Sequence, residues 1–80
     1  MDMYTATKNR LLELLEINKM SIRKLALDSG VAPSTIKNIL YGKSTNPGVV
    51  TIKMLCDGLG ITVVDFFNAD AFLKLEQEIK

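Results

Sequence analysis

The chain has 80 residues, 48% of them hydrophobic, with no histidine, one cysteine and a net charge of +1. A chain this short forms one small core, and a lone cysteine makes no internal disulfide, which fits a reducing cytoplasm. With no apolar run near the roughly 18 residues of a spanning helix, and no basic-then-apolar leader, neither a membrane protein nor a secreted one is expected.

The first helix is expected over about residues 5–18. Leu11, Leu14, Leu15 and Ile17 supply an apolar stripe at helical spacing, with Lys8, Arg10, Glu13 and Glu16 outside. Ser21 suits the N-cap of a second helix, since its hydroxyl can accept from an unpaired amide of the first turn. Ile22, Leu25 and Ala26 face inward along that helix. Gly30 ends it and can adopt the left-handed conformation of a sharp turn. Pro33 belongs in the first turn of a third helix, where a missing N–H costs nothing. Ile36, Ile39 and Leu40 point inward, and the helix stops at Gly42.

The loop KSTNPG follows, and a fourth helix runs from residue 48 or 49 to 59. Val49, Ile52, Leu55, Cys56 and Leu59 are its core candidates, and Gly60 closes it. Thr62 and Asp65 have capping-box spacing, with Asp in place of the usual Glu. They open a short fifth helix containing Val63, Val64, Phe66 and Phe67. From Asp70 a sixth helical segment is expected, with Phe72, Leu75 and Ile79 on one stripe. Lys74–Glu78 and Glu76–Lys80 are i,i+4 pairs along it, worth roughly a few tenths of a kcal/mol each. The four methionines serve as core filler. The chain is therefore all-α, five helices in a bundle at residues 1–69 with a helical tail at 70–80. The apolar stripe of the tail would either pack on the body or form a dimer seam.

Charge is unevenly spread. Residues 1–18 carry net −1 and residues 54–80 net −3, whereas residues 19–53 carry net +5. That segment holds Lys19, Arg23, Lys24, Lys37, Lys43 and Lys53 against Asp28 alone. The basic charge sits on and around residues 21–42, two short helices joined by a tight turn, the layout of a helix-turn-helix. At about 100° per residue, Pro33, Ser34, Lys37, Asn38 and Tyr41 fall on the outer side of the third helix, and Thr35 lies at the edge. Short polar and cationic side chains suit a major groove. Asn38 can pair bidentately with adenine, and Lys37 can reach guanine acceptors or a phosphate. Ser34 can bond a base edge or a phosphate, and the Thr35 methyl can touch a thymine methyl. The Ser21 hydroxyl, the Ile22 amide and Arg23 sit at a helix N-terminus, which favours phosphate.

These residues resemble the Xre group of helix-turn-helix domains, the lambda-repressor and Cro-like class, which also provides one of the standard examples of DNA docking. The resemblance covers residues 8–67. It is carried by Leu25-Ala26, Ser29-Gly30-Val31, Ser34-Thr35-Ile36, Ile39, Gly42-Lys43, Pro47, Leu55 and Leu59-Gly60-Ile61. It implies a lambda-repressor-like bundle and a DNA-binding transcriptional regulator, repressor-like, bacterial or phage-encoded and cytoplasmic. It further implies backbone contacts from Lys43, Ser44, Thr45 and Asn46 just past the third helix, with Tyr41 beside them. The expected partner is double-stranded DNA bound by a homodimer. The alternative is an antitoxin or other protein-interaction module on the same fold, for which the acidic tail is the motive.

Two features depart from the family pattern. Ala32-Pro33 stands where relatives often carry Ser-Gln, so one usual specificity position is expected to be silent, and Ala32 is a poor cap. The acidic tail extends past the usual domain end. No catalytic residue, metal site or cofactor is expected: histidine is absent, Cys56 sits mid-helix among apolar neighbours, and the glycines form no phosphate-binding or dinucleotide motif.

Overall fold

The computed structural model describes residues 1–79, which form five α-helices followed by a single 3-10 turn. The first helix, α1 (Met3–Ile17), starts earlier than its leucine stripe implies, because Asp2 caps it. The Asp2 carboxylate accepts from the Thr5 amide at 2.8 Å. That bond holds its carboxyl below the ordinary value. Next come α2 (Ile22–Ser29), α3 (Pro33–Leu40), α4 (Val49–Leu59) and α5 (Val63–Phe67). The caps follow local chemistry. Ser21 Oγ accepts from the Lys24 amide, Gly30 and Gly60 close α2 and α4 in the left-handed region, and Thr62 and Asp65 complete a reciprocal capping box.

The core joins all five helices. Leu11, Leu25, Ile36, Ile39, Leu55, Cys56 and Phe66 are fully buried. Helix α2 is the central element, packing most extensively on α4 and carrying α3 on another side, while α1 also packs on α3. At the α2–α4 crossing the backbones nearly touch. A Cβ added at Gly58 would lie 2.7 Å from the Ser29 Cβ and 2.9 Å from the Ser29 amide nitrogen. Val31 closes the core just past this crossing, its amide donating to Ser29 Oγ at 3.1 Å.

Several side chains depart from the sequence pattern. Ile17, the last residue of α1, is 65% exposed. Thr7 lies on the arc shared by Leu11, Leu14 and Leu15 at about 100° per residue, and both Thr7 and Ala6 are buried. Arg10 is not an outward charge. Its Nε donates to the Phe66 carbonyl at 2.7 Å and Nη2 to the Asp65 carbonyl at 2.8 Å, and it pairs with Glu13. The guanidinium thereby satisfies carbonyls at the end of α5, where cations are favoured. Val49 is 84% exposed because it occupies the first turn of α4, beside an open groove shared with Tyr4 and Asn46. Helix α3 ends at Leu40, before Gly42. Of the four methionines only Met20 packs on the core, while Met1, Met3 and Met54 are exposed.

The tail is not a helix. Only residues Asp70–Leu73 turn, as a 3-10 element. Phe72 docks there edge-on to Phe67, ring centroids 5.0 Å apart, and Phe67 packs in the same manner on Phe66 at 4.9 Å. The chain then crosses the start of α1 without regular secondary structure. The Glu76 amide donates to the Met1 carbonyl at 3.0 Å, and the Met3 amide donates to Glu78 Oε2 at 3.3 Å. Glu78 is thus committed to α1 and makes no ion pair with Lys74, while the Glu76–Lys80 pair extends outside the described residues. Leu75 is half-buried and Ile79 is exposed, so no continuous apolar stripe forms.

Two outcomes are expected. Gly58→Ala should destabilise the fold by about 1–3 kcal/mol, since Ser29 opposes it with backbone atoms that do not yield easily. The measurement is a lowered urea midpoint at unchanged m-value; an unchanged midpoint would show that the seam opens freely. The second concerns Cys56, whose thiol pKa is pushed up by burial. The unfolded chain loses that proton more readily than the folded one. This contribution is therefore intact below the ordinary thiol range and declines as pH rises through it. Unfolding measured from neutral to alkaline pH should show a shallower decline for Cys56→Ala than for the parent chain.

Candidate nucleic-acid interface

The left-handed Gly30, at φ 74°, sets the angle between α2 and α3, and its amide donates to the Ala26 carbonyl at 3.0 Å. Ala32 then starts α3 without a side-chain cap. Its carbonyl accepts from both the Thr35 and Ile36 amides, at 3.0 and 3.2 Å. Pro33 has no N–H to satisfy, which removes one of the orphan donors of a helix start.

Two faces of α3 differ completely. Ile36, Ile39 and Leu40 are buried against α2 and α1. Pro33, Ser34, Lys37, Asn38 and Tyr41 are exposed, and Thr35 is half-buried at the edge, as the sequence spacing implies. Among the described residues, the side chains of Ser34, Thr35, Lys37, Asn38 and Tyr41 enter no intrachain hydrogen bond or ion pair. The groups are uncommitted, and their donors and acceptors face solvent.

The far end of α3 is held by a contact with no local sequence signal. The Tyr4 hydroxyl donates to the Ile39 carbonyl at 2.6 Å. The Tyr41 amide closes on the Lys37 carbonyl at 2.8 Å, and the Ser44 amide closes on the Asn38 carbonyl at 2.9 Å. Ser44 is consequently half-buried with its backbone donor occupied, while Lys43, Thr45 and Asn46 are exposed. Thr45 and Asn46 line the groove that runs past Tyr4 and Pro47 to Glu78.

At the start of α2, Ser21 is exposed and the Ile22 side chain is half-buried. The Ile22 and Arg23 amides have no intrachain partner among the described residues. Arg23 lines a shallow groove at the α2–α3 turn together with Leu27, Ala32 and Pro33. The basic charge is narrower than the sequence count implies. Lys24 pairs with Asp28 at 3.1 Å and Lys53 pairs with Asp57. Lys19, Arg23, Lys37 and Lys43 make no ion pair within the described residues. Among those residues no group of three His, Cys, Asp or Glu side chains could hold a metal, and no helix is long and apolar enough to cross a membrane.

No curated protein matches the chain. Its fold is similar to the crystal structure of the wild-type restriction-modification controller protein C.Esp1396I, with a TM-score of 0.77 and 18% identity. That match covers 89% of this chain and 88% of the controller. Prophage Lp1 protein 11 is also similar, with a TM-score of 0.78 and 29% identity over 94% of this chain and 100% of that one. The family model for the Cro/C1-type HTH DNA-binding domain matches residues 10–71, from the Arg10 anchor through the turn and α3 to the 3-10 turn. An all-helical bundle with an uncommitted outer face on the helix after the turn, matched over that length, means that the chain belongs to the Cro/C1-type HTH DNA-binding domain family.

Proposed function

We propose that this DNA-binding protein is a sequence-specific transcriptional repressor that reads the major groove with α3 and blocks access to its site. The observation that carries the reading is the division of α3, buried on one face and polar without intrachain partners on the other. Side chains already bonded at home would lose those bonds on docking, and these lose none.

Asn38 takes adenine through its amide, Lys37 takes guanine or an adjacent phosphate, and Ser34 bonds a base edge. The Thr35 methyl contacts a thymine methyl. Backbone contacts come from two flanks. At the start of α2 they are the Ser21 hydroxyl, the Ile22 amide and Arg23, where the helix dipole favours an anion. Past α3 they are Tyr41, Lys43, Ser44, Thr45 and Asn46. Lys19, Arg23, Lys37 and Lys43, which make no ion pair among the described residues, set the electrostatic contribution per subunit. A single α3 contacts too few base pairs to specify a site, so the protein acts as a homodimer on half-sites about 34–36 Å apart. The protein-interaction alternative rests on the acidic, amphipathic tail and the modest net charge; residues 74–79 form no helix that would present an apolar face to a partner.

Binding to duplexes selected from random DNA tests the assignment. Asn38→Ala should lose about 1–3 kcal/mol on the selected site and relax the preference at one adenine. Identical weak binding of every sequence by both proteins would refute sequence reading. In a separate titration, log affinity should fall with log salt at a slope of about −3 to −4 per subunit, the value for about four neutralised phosphates. A slope near zero would remove the phosphate contacts.

A further inference from the structure

We infer that the shallow groove at the α2–α3 turn receives the 5-methyl group of a thymine, with Pro33 as a specificity-determining residue. The inference rests on the DNA-reading assignment above and extends it to a position expected from sequence to be silent. The groove is lined by Arg23, Ala26, Leu27, Val31, Ala32 and Pro33. Apart from the Arg23 guanidinium its side chains are purely apolar. Leu27 is 74% exposed on this wall with nothing covering it.

The placement matters more than the composition. Pro33 is exposed in the first turn of α3. At about 100° per residue it lies about 40° around the helix from Lys37, on the same outer face. A capped helix start would present a hydroxyl or amide here. Ala32 and Pro33 present only a methyl and ring methylenes, with no side-chain donor or acceptor. In the major groove the one apolar feature of a base pair is the thymine methyl, which small apolar side chains recognise by contact. The groove is continuous with the outer face of α3, so a duplex lying on that face covers it.

Arg23 supplies the complementary charge. It has no ion-pair partner among the described residues, and its side chain borders the same groove. A guanidinium beside an apolar notch fits a phosphate next to a base methyl. Burying one methyl is worth roughly 0.8 kcal/mol, which corresponds to about a fourfold change in affinity.

The experiment replaces each thymine of a selected duplex by uracil, one at a time, which deletes only the methyl. Affinities are measured at fixed salt. The expected result is a thymine in each half-site, distinct from the one that Thr35 touches, at which the parent chain weakens about fourfold. Pro33→Ser and Leu27→Asn should bind the thymine and uracil versions of that site equally, whereas Thr35→Ser should keep the difference. Both altered positions are exposed, and agreement between the two variants separates the groove from any local effect on the start of α3. The proposal is overturned if no thymine is methyl-sensitive, or if the sensitivity survives in both groove variants or vanishes only in Thr35→Ser. Any of those results with selective binding intact leaves the DNA-reading assignment standing. Failure to select any duplex would defeat that assignment itself, and the groove proposal with it.

Discussion

Ser29 and Gly58 meet with almost no space between their backbones, and the orientation of α3 depends on that contact. Helix α2 is held against α4 along its length, closest at its C-terminal end. One residue later the left-handed Gly30 turns the chain, and Val31 is driven into the core. The direction in which α3 leaves is therefore set by a rigid seam rather than by a free loop. Interiors packed at crystal-like density transmit such constraints because no side chain can move alone.

The other end of α3 is controlled from a distance. Tyr4 comes from the first turn of α1 yet bonds the Ile39 carbonyl, one of the last unsatisfied acceptors of α3. Lys8 lies 6.0 Å from the centroid of the same ring, within reach of a cation–π interaction. Arg10, two residues further along α1, ties down the end of α5. The first helix thus acts as a brace for two others. A short helix such as α3, with eight residues and no side-chain cap, would be marginal alone. Here it is fixed at its start by the turn and at its end by a phenol.

Much of this was legible in the sequence where the cause is local. Ser21, Gly30, Gly60 and the Thr62–Asp65 pair mark helix ends through chemistry within four residues, and the structure places helix ends there. The outward set on α3 follows from helical periodicity alone. What was not legible depends on neighbours distant in sequence. Val49 fits the apolar stripe of α4, yet no element covers its turn. Arg10 looks like a surface charge until α5 offers it two carbonyls. Gly58 and Tyr4 carry no signal at all without the partner that approaches them. In the tail, i,i+4 charge pairs and a repeated apolar spacing both favoured a helix. The docking of Phe72 on Phe67 and the pull of the α1 start on Glu78 outweigh that weak propensity.

The lack of side-chain bonds on the outer face of α3 among the described residues bears on how such a protein diversifies. Exposed substitutions away from caps and the core usually change stability by no more than about 0.5 kcal/mol. Ser34, Lys37, Asn38 and Tyr41 are such positions, and the scaffold that aims them lies elsewhere, in Gly58, Ser29, Gly30 and Tyr4. Under the proposed reading, target preference and foldability are therefore encoded in separate residues. A duplicated copy can drift toward a new site one substitution at a time without passing through an unfolded intermediate, and drift of that kind leaves the seam and the brace unchanged while the outer face turns over.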